Sequence, residues 1–360
     1  MFVVKSNRHK WKKQLLITVS ALLTLILIVQ PIASAIVYRV IFSTGFETEE
    51  HLCLSAEDYE GLSVEECTFL SNYGQALRGY RYCSDATLSP LGVVVLAHGM
   101  GGGGQNRYMG LINALVMGGY LVFAYDATGN DESEGRGVQG MPQGVIDVDH
   151  ALRYVKEQEE YQNLPLFLVG HSWGGHSVAT VLSFHPDVSA VVSLAGFNNS
   201  EDMIRSHSVK FVGALIAFLM PYVTLYERYR FGDHAVKTAM DGFEASDAHV
   251  MVVHSREDTT VPTRYGYDLY YATYADSPRF RFILYQGRGH EGVFLSEDAR
   301  KCSAALDDAY LAHKKEAGRE VLSKAAFMEE YGYEAKALAE PDSNLMEEIL
   351  LFFATAAEKN

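Results

Sequence analysis

Cysteine is scarce in this 360-residue chain: Cys53, Cys67, Cys83 and Cys302 are the four, and no C-x-x-C pair occurs among them. That spacing indicates neither a zinc ribbon nor a thioredoxin-type redox pair. H-E-x-x-H is missing too, and the glycine run 101–104 is not followed by G-K-[ST]. A helix-borne zinc site and a phosphate loop are therefore not indicated, and no metal or cofactor is expected. Basic charge is also short, with 30 Lys and Arg against 45 Asp and Glu, a net −15. Because residues 1–13 hold five of the cations and no acid, the rest carries −20. Such a body is unsuited to nucleic acid or to anionic membrane surfaces. The last absence is local: no charged residue stands between Lys13 and Arg39.

That uncharged stretch is the first thing the chain does contain. Residues 15–37 are apolar and number 23, more than the ~20 needed to cross a hydrocarbon core. A basic flank stays cytoplasmic, so the expected division is a cytoplasmic tail 1–13, a membrane anchor 14–38, a linker 39–60 and an extracytoplasmic body 61–360. A cleavable signal peptide is the other reading, since Pro31 breaks the most apolar part and Ala33-Ser34-Ala35 offers small residues for cleavage; the body would then be secreted. Apolarity resumes at Ile36 and Val37, which favours the retained anchor. Outside the cytoplasm a disulfide within the early cysteine trio and buried free thiols are both compatible with the sequence.

Beyond residue 60 the pattern is alternating. Two strands around the turn Asn72-Tyr73-Gly74 form an opening hairpin. Buried-strand runs follow at 93–97, 120–125, 166–169, 188–194, 249–254 and 280–285, with helix-like segments between them. The clearest helix is 145–156, where Val145, Val148, Leu152 and Val155 make one apolar stripe. Strands alternating with helices predict an α/β fold with a mostly parallel sheet covered on both faces. In such sheets function gathers at the carboxyl ends of the strands.

The most informative stretch is 166–175, LFLVGHSWGG, an apolar run that breaks into G-x-S-x-G at Gly170, Ser172 and Gly174. A strand turning sharply into a helix there would expose the Ser172 hydroxyl on a strained corner. A serine hydroxyl needs a base to take its proton, and an imidazole needs a carboxylate to fix its tautomer. Two later strands are followed by Asp258, in SREDTTVP, and by His290, in QGRGHEG. The order Ser172, Asp258, His290 suits this kind of sheet. Glu257 is the rival acid, and the spacing before Val261-Pro262 favours Asp258. The oxyanion formed during acyl transfer needs preorganised N–H donors, assigned to the backbone of Trp173 and Met100. His98 reads as an organiser of its loop rather than a base.

These residues make the chain resemble the α/β-hydrolase family, in its serine-hydrolase branch of monoacylglycerol lipases, esterases and serine aminopeptidases. The matching motifs are HGMGG at 98–102, YDATGNDESEG at 125–135, GHSWGG at 170–175, EDTTVP at 257–262 and GRGHEG at 287–292. Asn130 and Ser255 depart from it, where relatives often carry histidine and glycine. The resemblance implies an α/β-hydrolase fold with a helical cap inserted at about 198–243, and hydrolysis of a small-molecule acyl substrate. Within that insertion, 211–220 has no polar side chain, as expected of a buried cap helix or of a lid over an acyl pocket. The charged segment 296–338 is expected to be helical and to pack away from the site, and a closing helix is expected near 344–357. Esterase chemistry is the leading expectation; a peptidase or acyltransferase with the same triad, and a non-catalytic binding protein of this fold, are the alternatives.

Overall fold

The computed structural model describes residues 4–316 and 321–358. Residues 1–3 of the basic tail, 317–320 of the charged segment 296–338 and 359–360 lie outside the described residues, as do the side chains of 4–9 and 211–212. Eight strands, β1 (Ser63–Leu70), β2 (Ala76–Cys83), β3 (Val93–Ala97), β4 (Leu121–Tyr125), β5 (Leu166–His171), β6 (Ala190–Leu194), β7 (His249–Ser255) and β8 (Phe280–Tyr285), form one sheet in the order β1-β2-β4-β3-β5-β6-β7-β8. Only β2 runs against the others, pairing antiparallel with β1 and β4, while β4 to β8 are parallel throughout. The six strand runs expected from residue 93 onward all form, with ends shifted by at most two residues.

The parallel strands are apolar end to end because helices cover both of their faces. Side chains alternate across a strand, so Val93, Val95 and Ala97 enter one core and Val94 and Leu96 the other. Helices in chain order are α1 (Val4–Thr24), α2 (Gln30–Ile41), α3 (Met109–Met117), α4 (Met141–Glu157), α5 (Trp173–Thr180), α6 (Ser200–Val212), α7 (Ile216–Phe231), α8 (Ala239–Ala245), α9 (Tyr267–Tyr274), α10 (Glu297–Glu316), α11 (Lys324–Tyr331), α12 (Ala335–Leu338) and α13 (Ser343–Ala357). The first core takes α4, α5 and α8, and the second takes α3 and α13. A small satellite core of Leu306, Phe327, Met328 and Leu338 holds α10 to α12 together.

Helices α1 and α2 are continuous through a π-helical turn, Leu25–Val29. Among the described residues, Lys10–Ile41 is the one helix long and apolar enough to cross a membrane. Its end does not lead into a free linker, and the expectation for 39–60 is corrected here. Phe42 and Thr44 carbonyls accept the N–H groups of Gln139 and Val138, the Phe46 carbonyl accepts that of Asp131, and Leu54, Ala56 and Tyr59 are buried. The segment lacks a hydrophobic period because it lies as a strap across loops, where single apolar side chains fill separate gaps. The stretch 211–220 also differs from expectation. It breaks at Gly213 between α6 and α7, with Ile216 and Met220 buried but Leu215 and Phe218 exposed.

All four cysteines are free thiols, Cys53 and Cys83 exposed, Cys67 and Cys302 half-buried. No bond links the early trio.

Candidate active site

Ser172 sits where β5 turns into α5, with φ 57° and ψ −116°. A residue with a side chain held there stores roughly 1–3 kcal/mol. The surroundings force the conformation: the Ser172 N–H donates to the Leu194 carbonyl at 2.8 Å, and its own carbonyl accepts the His176 N–H at 3.0 Å. The flanking glycines are required by close approach. A Cβ at Gly170 would stand 2.3 Å from the Gly174 carbonyl oxygen, and one at Gly174 would stand 2.1 Å from that of Ala97. The strand, the turn and β3 can pack this tightly only without side chains at those points.

Parallel pairing sets Ala97 beside Gly170 and Gly170 beside Ser193, so the loops after β3, β5, β7 and β8 open on one edge. On that edge His290 Nε2 lies 2.8 Å from Ser172 Oγ, and its Nδ1 lies 2.6 Å from Asp258 Oδ2. The other carboxylate oxygen accepts the N–H groups of Thr260 at 2.9 Å and Val261 at 2.8 Å. Burial alone would raise the Asp258 carboxyl, but the His254 and His290 side chains and the Val261 N–H outweigh it and hold it well below the usual carboxylate range. A charged Asp258 therefore places the imidazole proton on Nδ1 and leaves Nε2 free to accept from the serine. Glu257 points elsewhere: it is exposed and accepts the Gly287 N–H.

Met100 lies in the loop after β3, and Trp173 directly follows Ser172. Trp173 is the first residue of α5, where a backbone N–H has no partner inside its helix. The Trp173 ring is buried, with its Nε1–H donating to the Met141 carbonyl at 2.7 Å. His98 Nδ1 lies 2.8 Å from the Gly99 carbonyl oxygen, and Nε2 accepts the Ala127 N–H at 2.8 Å. The ring thus ties the loops after β3 and β4, and burial lowers its basicity.

A second ring of contacts, announced by no motif as a whole, lies behind these groups. Tyr108 Oη accepts the Gly99 N–H at 3.0 Å and lies 2.9 Å from His171 Nδ1, while His171 Nε2 lies 3.2 Å from the His290 carbonyl oxygen. Burial, with His290 alongside, brings the His171 ring down to about 4, so it is neutral and one of its nitrogens donates. Tyr108 lies outside every motif, and only the fold brings it to His171. The two departures from the family pattern also stabilise loops: Asn130 Nδ2 donates to Ala127 and Thr128 carbonyls, and Ser255 Oγ accepts the Arg288 N–H two residues before His290.

A cavity lined by Lys156, Asn163, Pro165 and Asp187 lies at the amino ends of the strands, and Ser172 is not among its lining residues. Among the described residues no group of three or more His, Cys, Asp or Glu side chains is placed to hold a metal ion.

Comparison with known proteins follows the same lines. A family model described as serine aminopeptidase, S33, matches residues 89–233. Monoglyceride lipase of Homo sapiens is 34% identical over 98 residues, 27% of this chain and 32% of that protein. The Mus musculus monoglyceride lipase is 29% identical over 139 residues, 38% of this chain and 45% of that protein. The match thus spans less than half the length of either relative. Among solved structures, a Pyrococcus furiosus esterase superposes with a TM-score of 0.53 at 14% identity, covering 74% of this chain and 94% of its own. The esterase Est1E of Butyrivibrio proteoclasticus, bound to ferulic acid, gives 0.50 at 16% identity over 68% and 98%.

Proposed function

We propose that this chain, whose fold is that of the α/β-hydrolases, is a membrane-anchored serine hydrolase that cleaves carboxylic esters through an acyl-enzyme. The observation that carries the reading is the unbroken line from Ser172 Oγ to His290 Nε2 at 2.8 Å and from His290 Nδ1 to Asp258 Oδ2 at 2.6 Å. His290 Nε2 takes the Ser172 proton as Oγ attacks the ester carbonyl. The Met100 and Trp173 N–H groups receive the oxyanion. As the tetrahedral species collapses, the same Nε2–H hands its proton to the leaving alcohol. Water then repeats the sequence on the acyl-serine, with His290 again as base. Asp258 stays charged throughout and steadies the imidazolium.

The anchor reading draws on Ser34, inside the small-residue run 33–35, which is only 4% exposed because α2 packs against α7. The basic flank 1–13 would place the body outside the cytoplasm. The names of the curated relatives suggest monoacyl esters as first substrates. A peptidase is the second reading, favoured by the description of the matching family model.

A panel of acyl esters of increasing length and aminoacyl amides, run on wild type and on Ser172→Ala, tests this. Ester turnover and fluorophosphonate labelling that both vanish in Ser172→Ala are expected. Undiminished turnover in that variant would falsify the nucleophile, and preference for the amides would select the peptidase.

A further inference from the structure

The end of the membrane-length helix is built into the protein body. Tyr38, near the end of α2, is 3% exposed, and its hydroxyl donates to Glu227 Oε1 on α7 at 2.5 Å. The second carboxylate oxygen of Glu227 accepts from Ser200 Oγ, in the first turn of α6, at 3.0 Å. Two cap helices and the membrane-length helix therefore meet on one carboxyl group, itself 2% exposed. The backbone at α4 is cut to admit this contact: a Cβ at Gly140 would stand 2.3 Å from Tyr38 Oη and 2.8 Å from the Phe231 ring.

The contact continues inward. The Tyr38 hydroxyl packs against Gly140, the residue directly before Met141. The carbonyl of the same Met141 accepts from the Trp173 indole at 2.7 Å. Trp173 directly follows Ser172, so one line of contacts runs from the membrane-length helix through Tyr38, Gly140 and Met141 to the nucleophile turn. Glu227, Met141 and Trp173 come from three separate elements and have no other reason to share a line.

We infer that Tyr38 and Glu227 are positioning residues: through Met141 they fix the Trp173 ring, and with it the backbone N–H beside Ser172, so that a seated α2 is required for full turnover. The inference rests on the serine-hydrolase reading above. It assigns the helix a role in rate as well as attachment. A shift of an ångström or less in a preorganised donor is enough to slow acyl transfer while leaving ground-state binding intact.

The test uses the full chain in detergent micelles, with a short p-nitrophenyl acyl ester and a fluorophosphonate. The chain has two tryptophans, Trp11 and Trp173, so in a Trp11→Phe background all indole emission reports Trp173. Tyr38→Phe is expected to lower kcat on the order of tenfold, leave KM within about twofold, slow fluorophosphonate labelling in step, and shift the Trp173 emission. Glu227→Gln, which keeps an acceptor for the Tyr38 hydroxyl, is expected to retain most of the rate. The double variant is expected to be no slower than Tyr38→Phe alone, as members of one path are not additive. A Tyr38→Phe enzyme with wild-type kcat and unshifted emission overturns the inference. So does a fall in rate matched by a fall in titratable active sites, with emission unchanged, because that marks lost folded protein alone. Failure of the underlying reading looks different: Ser172→Ala would then turn over ester as wild type does, whatever Tyr38→Phe did.

Discussion

Replacing Asp258 by asparagine separates orientation from shape. The carboxylate accepts four contacts and donates none: Thr260 and Val261 N–H on Oδ1, His290 Nδ1 on Oδ2 at 2.6 Å, and the more distant His254 at 3.4 Å. An asparagine has one acceptor oxygen and one NH2 group. With the NH2 on the Oδ1 side, the Thr260 and Val261 N–H groups lose their acceptor, at about 1–3 kcal/mol for the buried Val261. With it on the Oδ2 side, His290 and the longer His254 contact are opposed, and the His290 ring answers by moving its proton from Nδ1 to Nε2. The second arrangement wins, and it aims an N–H at Ser172 Oγ, where an acceptor is needed. The active tautomer becomes the minor one and the imidazolium loses its counter-charge. A fall in kcat on the order of 10⁴-fold, about 5 kcal/mol, is expected, with KM little changed. Glu257→Gln is the control: that side chain faces the Gly287 N–H, and its kcat is expected to stay within about threefold of wild type. Steady-state hydrolysis of a p-nitrophenyl ester, corrected by circular dichroism for folded fraction, measures both. A folded Asp258→Asn enzyme within tenfold of wild type, or a larger loss in Glu257→Gln, would refute the assignment of the orienting acid.

Two further outcomes concern stability. Ser172→Gly removes a side chain from φ 57°, ψ −116° and should raise stability by about 1 kcal/mol while ending turnover; a thermal midpoint at or below wild type would count against stored strain. Burial lowers His176 to about 4, so the unfolded chain takes up that proton first as pH falls. The stabilising effect of a neutral ring is fully present above pH 6.5 and is lost on the way down to 4, at roughly 3 kcal/mol. His176→Gln should therefore gain on wild type in urea titrations between pH 7 and 4.5, and a constant difference across that range would contradict the burial argument. Glu227 is shifted the other way, raised by burial to about 7. The unfavourable charge is present above pH 7 and relieved toward 4.5, so any advantage of Glu227→Gln should shrink with acid.

What could be read from the sequence was whatever one short stretch decides by itself. Val93–Ala97 is a strand because five apolar residues in a row suit a place buried on both faces. Gly170, Ser172 and Gly174 form a turn because their own spacing demands it. The pairs that escaped notice are joined by the fold alone: Tyr108 meets His171 across 63 positions, Thr48 meets Asp131 across 83, and Tyr38 meets Glu227 across 189. In each pair at least one partner lies outside every motif, so nothing local marks the pairing. The strap at 39–60 was missed for a related reason. An aperiodic acidic stretch resembles a linker until the glycine loops beneath it, such as Gly129 and Gly137 against Gly45 and Ser43, are known to be shaped for its passage.

The 32-residue span of the apolar helix also has a geometric consequence. At 1.5 Å per residue it is about 48 Å long, whereas hydrocarbon accounts for ~30 Å. Set across a bilayer, it keeps roughly twelve residues to spare, and the part that grips α7 is at that end. A body held on a stiff shaft cannot tumble. It would spin about the membrane normal and drift sideways, but Ser172 would keep one height over the lipid. Substrates would then be sorted by where along that height they carry their ester.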